Sequence, residues 1–345
     1  MKSKIVSVYF FLFLPFFGFL QAGNGVFQFL DLPVSSRMAA LGGKNVSLVD
    51  NDINFALQNP ALLTKNSDNV IGLNMANYLA DIQFGTAVYG KTYGKNSFAV
   101  GVQYVDYGTF KETTETNDII GEFTAKDMSL SLIYSRELIR NLTVGATLKP
   151  VYSAYEKYTS FGAALDFGVS YQLPEKLFSA GLAFRNIGAQ FKGYYSGDDG
   201  QHYEPLPFEI QLGVSHKLEH APFRFSLTMH DLQQWDMSYV DNDESMLDYD
   251  RFDLISKIKF IDLVFRHAIF GVEFIPGKNL YLVASYNHRR HQELKMDGFK
   301  SMAGFSFGGG IKISKFQVGF GMSQFQVGNY AYLFSISTSL SEFKL

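Results

Sequence analysis

The sequence contains no cysteine, only 9 prolines, and no second long apolar run after residues 5–20. Without cysteine the fold has no disulfide, and no lipid can be attached through a cysteine. The lack of a second apolar run excludes a bundle of membrane-spanning helices. Acidic residues slightly outnumber basic ones, 33 against 30, so the chain has no electrostatic footprint for a nucleic-acid partner and none is expected.

The first residues form a separate segment. Lys2 and Lys4 precede the apolar run, which ends near Leu20-Gln21-Ala22. A charged start, a short apolar core and a small residue at the cut are typical of a secretory signal peptide. The run is shorter than the ~20 residues of a spanning helix. We therefore predict a signal peptide at residues 1–22, with an N-terminal membrane anchor as the alternative.

Aromatic residues and glycine are abundant, with 34 Phe, 20 Tyr and 31 Gly, and most of the chain alternates at period two. In the last such stretch Tyr330, Tyr332 and Phe334 share one face, while Ala331 and Ser335 share the other. In a soluble sandwich the large face would be the core. In an outer-membrane barrel the large face contacts lipid, and the small polar face lines the lumen.

Strand length and number favour the barrel. Many alternating stretches exceed the ~5–6 residues usual in soluble strands and match the ~9–11 residues that cross a bilayer at a tilt. The predicted strands, fourteen in all, lie at residues 70–79, 81–90, 97–108, 125–137, 142–156, 158–172, 178–191, 208–219, 222–235, 265–276, 279–291, 301–313, 315–326 and 329–341.

The connections between these strands alternate in length. Every second one is short, and the longest of the others are residues 109–124, 192–207, 236–264 and 292–300. Outer-membrane barrels have short periplasmic turns and long outer loops, whereas a sandwich does not sort its loops in this way. We therefore predict an all-β fold, a 14-stranded antiparallel transmembrane β-barrel at residues 69–345, integral to the outer membrane, with both termini periplasmic and lipid around its wall.

The segment before the barrel, residues 23–68, does not alternate. It includes "SSRMAALGGKNVSLVDNDINFALQNPALL", residues 35–63. We expect a periplasmic hatch that starts, at residue 24, at the short-turn mouth of the barrel and is folded into the lumen or across this lower mouth. An extension without a plugging role is the alternative. In the hatch, Arg37 is expected to pair with Asp50 or with lumen carboxylates. The residues that mark this hatch motif are Arg37, Gly42, Gly43, Asp50, Asp52, Asn59 and Pro60.

This segment resembles the N-terminal signature of the PorV/PorQ family, which is distantly similar to FadL-type fatty-acid transporters. The shared features are a serine and an arginine, then Leu-Gly-Gly, an acidic stretch and Asn-Pro-Ala. Three further stretches favour the PorQ branch of the family: "GVFQFLDLPVSSRMAALGG", "RHAIFGVEFIPGKNLYLVASYNHRRHQELK" and "FSISTSLSEF". The resemblance extends over essentially the whole mature chain.

The resemblance implies a fourteen-stranded FadL-like barrel in the type IX secretion system of Bacteroidetes. It implies a non-enzymatic role, in which the barrel anchors a PorZ-like surface partner of the attachment complex, with PorU- and PorV-like proteins as further partners. The alternative function is a FadL-like transporter of hydrophobic small molecules. No cofactor is implied, and the sequence contains no hydrolase, metalloprotease or P-loop signature.

The loop at residues 236–264 is the candidate docking site for a partner. Leu254, Ile258 and Ile261 follow helical spacing, which indicates an amphipathic helix at the rim. Such a helix suits partner docking or, alternatively, packing on the protein's own loops. His288 and His291 fall within a predicted strand, on opposite faces, so no metal site is expected from them.

Overall fold

The computed structural model describes residues 25–343, except residues 51, 79–81, 117, 198–199, 236–259, 295–301 and 327–328. Sixteen strands lie within this part of the chain. They are β1 (Val70–Asn77), β2 (Gln83–Tyr93), β3 (Asn96–Thr113), β4 (Ile119–Ile139), β5 (Leu142–Tyr155), β6 (Tyr158–Leu173), β7 (Phe178–Lys192), β8 (Ser196–Gly197), β9 (Gly200–Gln201), β10 (Glu209–Lys217), β11 (Phe223–Met229), β12 (Ala268–Phe274), β13 (Leu280–Asn287), β14 (Phe305–Ile313), β15 (Phe316–Gln326) and β16 (Asn329–Ser339).

Fourteen of these strands close into one barrel, while β8 and β9 form a small separate hairpin. Neighbouring strands are antiparallel throughout, and closure comes from β1 pairing with β16, where Val70 lies opposite Ser339. The predicted barrel and its strand number are confirmed. The alternation of the sequence matches the two faces of this wall. Tyr332 and Phe334 are exposed on the outer face, whereas Ala331 and Leu333 are buried inside. No helix in the described ranges is long and apolar enough to cross a membrane.

The wall is tall on one side of the barrel. Strands β3 and β4 are 18 and 21 residues long, and β3 continues beyond the point where Gln83 of β2 pairs with Asp106. Most of the predicted loop at 109–124 is therefore strand, and that prediction was wrong. The hairpin is held by ladder pairs and by the stacked rings of Phe110 and Phe123, whose centroids are 5.3 Å apart.

The opposite side of the wall is short. The predicted strands at 222–235 and 279–291 end at Met229 and Asn287, so both predictions were too long. Asn287 ends its strand because its side chain caps a helix, accepting a hydrogen bond from the Arg290 backbone N–H at 3.0 Å. Three short α-helices occur among the described residues: α1 (Ser36–Ala40), α2 (Phe260–Arg266) and α3 (His288–Glu293).

Residues 25–69, here called the plug, run through the barrel lumen. The plug consists of α1 and of 3₁₀ turns at Gln28–Asp31, Ile53–Leu57, Pro60–Leu62 and Lys65–Ser67. Most of its side chains from Val26 to Leu63 are buried. They form two apolar clusters with inward-facing wall residues such as Val88 and Phe84. The interior of the barrel is thus a packed core made by the plug.

The plug enters and leaves at opposite ends of the barrel. The Val26 backbone N–H donates to Pro205 O in the long connection between β7 and β10, at 3.0 Å. At the other end, Asp68 accepts from the backbone N–H of Thr92, near the short turn between β2 and β3, at 2.8 Å. The expectation that residues 24–68 begin at the short-turn mouth was wrong, because the described part of the plug begins at the long-loop end and runs towards the short-turn end.

Candidate functional site

The plug and the wall meet without intervening side chains at several wall glycines. A Cβ atom added to Gly181 would lie 1.8 Å from the backbone oxygen of Val46, and one added to Gly321 would lie 2.1 Å from that of Ser36. Such distances are far inside van der Waals contact, so the plug backbone lies directly against the sheet. This contact explains why small residues occupy inward positions of the wall. It also leaves the plug little room to shift.

Arg37 of α1 lies at the centre of a buried ion network. Its guanidinium is 2.7 Å from Asp50 in the plug and 2.8 Å from Glu273 on β12, and Asp52 is 3.9 Å away. Arg224 on β11 bonds the same carboxylates, at 3.2 Å from Asp50 and 2.6 Å from Glu273. Two cations thus face three carboxylates, of which Glu273 is fully buried and Asp50 is a quarter exposed, and the network fixes the plug to β11 and β12.

Two aromatic rings complete the surroundings of Arg37. The guanidinium carbon lies 5.4 Å from the centroid of Phe55 and 4.6 Å from that of Tyr281. Cation–π contacts of this kind are favourable when the cation is removed from water. Arg37 therefore joins the plug to the wall by ion pairs on one side and by ring contacts on the other.

The remaining residues of the hatch motif shape the plug backbone. Gly42 and Gly43 have φ angles of 87° and 100°, which L side chains rarely adopt, and they end α1 beside Ile269 of β12. Asn59 donates to Val46 O at 2.8 Å and accepts from the Ala61 backbone N–H at 3.0 Å. Pro60 follows as the first residue of a 3₁₀ turn. The motif residues thus hold distant plug segments together.

A second ion network lies nearer the long-loop end of the barrel. Lys44 of the plug is 2.5 Å from Glu209 on β10, and Arg185 on β7 is 3.5 Å from the same carboxylate. Arg185 also lies 3.4 Å from Asp31 of the plug. Sequence analysis did not assign these residues to a site. The signal that could have found them is charge on the small face of a strand, where Glu209 alternates with apolar neighbours.

One group of potential metal ligands occurs among the described residues. Side-chain atoms of Glu209, His230 and Asp231 lie within 4.8 Å of one another. The Lys44 ammonium is 3.9 Å from Asp231, and Arg289 is 2.7 Å from it. Although burial acts to raise it, Lys44 and His230 hold the pKa of Asp231 well below its usual range. Both carboxylates of this group are therefore already paired with cationic side chains of the protein.

Of the three predicted docking residues, only Ile261 lies in the described part of the chain. Leu254 and Ile258 lie outside the described residues, while Ile261 lies in α2 and is exposed.

His288 and His291, expected on opposite faces of a strand, instead lie one turn apart on α3. His288 contacts Asp262 at 3.0 Å and His291 lies near the backbone oxygen of Ala303 at 2.8 Å. Both histidines therefore contact neighbouring loop residues rather than each other.

Two adjoining cavities open at the short-turn mouth below the plug. Their volumes are about 250 and 230 Å³, and Val49, Gln172 and Pro174 line both. Lys65 and Lys95 line the first, and Lys217 and Arg224 line the second. Both cavities lie at the end of the barrel and are open, so they are mouth clefts rather than a passage through it.

No family model matches this chain, and no curated protein sequence matches it. Solved structures do. The CymD monoaromatic hydrocarbon channel has a TM-score of 0.56 and 14% identity, over 89% of this chain and 97% of that one. The toluene transporter TodX of Pseudomonas putida has a TM-score of 0.54 and 13% identity, over 90% and 99%. A FadL homologue of Pseudomonas aeruginosa has a TM-score of 0.50 and 9% identity, over 88% and 97%.

At such low identities the likeness shows the fold alone. The chain has the FadL-like fold, a closed antiparallel barrel of fourteen strands with little helix in its described part. This fold supports a location in the outer membrane. The first two of these structures are described as a channel and a transporter, and neither is described as an enzyme.

Proposed function

We propose that the protein is a non-enzymatic, PorQ-like outer-membrane component of the type IX secretion system, which anchors a PorZ-like surface partner through its outer face. The observation that carries this proposal is the packed lumen. The plug fills the barrel from Val26 to Leu63, and Arg37 and Lys44 tie it to the wall in two buried networks. A barrel closed in this way suits a fixed anchor. The secretion system and the partner in this proposal come from the resemblance of the hatch motif to the PorV/PorQ family.

The outer face offers raised surface for a partner. Strands β3 and β4 rise above β2, and Phe110, Ile119 and Ile120 are exposed on this hairpin. Exposed apolar residues on a rigid strand ribbon are the kind of surface that a protein partner covers. The loop with Leu254 and Ile258 remains a second proposed contact.

The test is an affinity purification from gently solubilised outer membranes. The intact protein is compared with a variant lacking residues 240–259, with the double variant Ile119→Lys/Ile120→Lys, and with the control Leu73→Lys on the lipid face, accepted only if it still forms a barrel. We expect a surface secretion-system protein to purify with the intact chain and with the control, and to be lost from at least one of the two outer-face variants. Recovery of no protein from the intact chain contradicts anchoring.

A second candidate function is transport of hydrophobic small molecules. It is favoured by the fold, because the matched structures cover nearly the full length of both chains and include a monoaromatic hydrocarbon channel and a toluene transporter. The fold likeness supports transport more directly than it supports anchoring. Uptake of labelled toluene by cells with and without the protein tests it: faster uptake with the protein supports transport, and equal uptake opposes it.

A further inference from the structure

Helix α2 has its polar side facing the protein and its apolar side facing out. Asp262 bonds Arg266 at 2.7 Å and contacts His288 of α3 at 3.0 Å. The Arg266 side chain is only 15% exposed, whereas Phe260 and Ile261 are 71% and 65% exposed. A helix on a water-exposed surface shows the reverse arrangement. The exposed side of α2 is therefore apolar.

The exposed residues form one continuous face. At 3.6 residues per turn, Phe260, Ile261 and Phe265 fall within an arc of about 140°, and Asp262 and Arg266 lie on the opposite side. The stacked ring of Trp235 extends this face, with its centroid 6.4 Å from that of Phe260 and the planes 13° apart. Here this set of four residues, Trp235, Phe260, Ile261 and Phe265, is called the α2 face.

The α2 face is continuous with the lipid-facing wall. The ring of Phe265 lies 6.0 Å from that of Phe270. Phe270 belongs to β12, where its side chain alternates with inward-facing Ile269 and Gly271 and is exposed on the outer face of the barrel. The apolar surface of the membrane-spanning strand therefore passes onto α2 without a polar break.

The wall below α2 is short. Strands β11 and β12 have 7 residues each, and backbone bonds from His230 to His267 O and from Ile275 to Pro222 O continue their pairing by one residue at each end. Seven to nine paired residues extend about 18–23 Å across the bilayer at a tilt of about 40°, while the apolar band of outer-membrane barrels is about 25 Å tall. This part of the wall thus extends no further than the apolar band, and α2 lies directly at the start of β12.

We propose that the α2 face binds the lipid of the outer leaflet and completes the hydrophobic belt where the barrel wall is short. Trp235 belongs to this face through its stacked contact with Phe260, and amphipathic rings of this kind are common at membrane interfaces. This assigns Ile261 to lipid rather than to a protein partner, so the partner contact of the proposed function lies elsewhere on the outer face. The inference rests on α2 and the wall and does not depend on the proposed function.

Trp235 is the single tryptophan of the chain, so its fluorescence reports on the α2 face without substitution. The protein is reconstituted in phosphatidylcholine vesicles with or without bromine on the upper acyl chain, because bromine quenches only tryptophan in contact with it. A second reporter, Ile261→Trp in a Trp235→Phe background, lies on α2 itself. In the same background, Phe334→Trp marks lipid contact and Phe110→Trp marks the raised hairpin.

We expect brominated lipid to reduce the fluorescence of Trp235 and of Ile261→Trp by the same fraction as that of Phe334→Trp, and to leave Phe110→Trp unchanged. The proposal is overturned if Ile261→Trp behaves like Phe110→Trp, quenched by aqueous acrylamide and insensitive to bromine. That result would place the α2 face in water, where a protein partner could cover it. Loss of barrel formation in one reporter leaves native Trp235 to decide.

Discussion

Replacement of Arg37 by Met tests how much free energy the ion network of Arg37 contributes to holding the plug in the barrel. Met has a similar volume but no charge, so Asp50 and Glu273 lose the cation at 2.7 and 2.8 Å. Removing one partner of a buried ion pair costs about 3–5 kcal/mol. Because Arg224 still bonds both carboxylates, we expect the lower end, about 3 kcal/mol, which corresponds to a roughly 150-fold larger population of detached plug.

Because the chain has no cysteine, a cysteine introduced by mutation is the single thiol that a labelling reagent can modify. A single cysteine at Ser47, which is buried against Ser215 of β10, reacts with a maleimide only when the plug opens. We expect Arg37→Met to accelerate this labelling by about two orders of magnitude, in line with the energy above. The control Lys312→Met removes only an exposed ion pair and should change nothing. An unchanged rate in Arg37→Met would refute the role of the network.

Three further predictions concern the same packing. Gly181→Ala places a Cβ against the backbone of Val46, so we expect about 1–3 kcal/mol of destabilisation, visible as a lower melting temperature in detergent. Asn59→Ala leaves a buried backbone oxygen unbonded, and we expect a loss of about 1–3 kcal/mol by the same measurement. Burial lowers the pKa of His230, so its contribution to stability is complete above about pH 6.5 and falls as pH drops; His230→Asn should flatten that dependence of the melting temperature.

The barrel was predictable because its physical requirement repeats along the chain. Each wall strand must present large residues to lipid and small ones to the lumen, and the alternation of Tyr332 and Phe334 with Ala331 and Leu333 records this directly. The raised hairpin was missed because above the rim both faces of β3 and β4 meet water, so the alternation that marks a membrane strand disappears.

The plug was harder to place. Its motif marked Arg37 and Asp50 as partners, but Glu273 and Arg224 come from strands more than 170 residues away in sequence, and only the closed barrel brings them together. The direction of the plug was predicted wrongly. The alternation of short and long connections determines the end of the barrel at which β1 begins, but it does not constrain the path of the residues that precede Asp68. Helix α3 was missed because a capping asparagine at 287 ends a run that otherwise alternates.

The central claim is that the protein works with its plug in place. Ser47 and Ser215 have side-chain oxygens 2.6 Å apart, so the double variant Ser47→Cys/Ser215→Cys can lock the plug to the wall by a disulfide. Ser306 and Ser323, 2.8 Å apart on β14 and β15, provide a matched lock within the wall. The measurement is the amount of cargo of the proposed type IX secretion system that is displayed on oxidised and reduced cells. We predict that display stays unchanged in both variants; loss of display only in the oxidised plug-locked cells, restored by reduction, would contradict the claim.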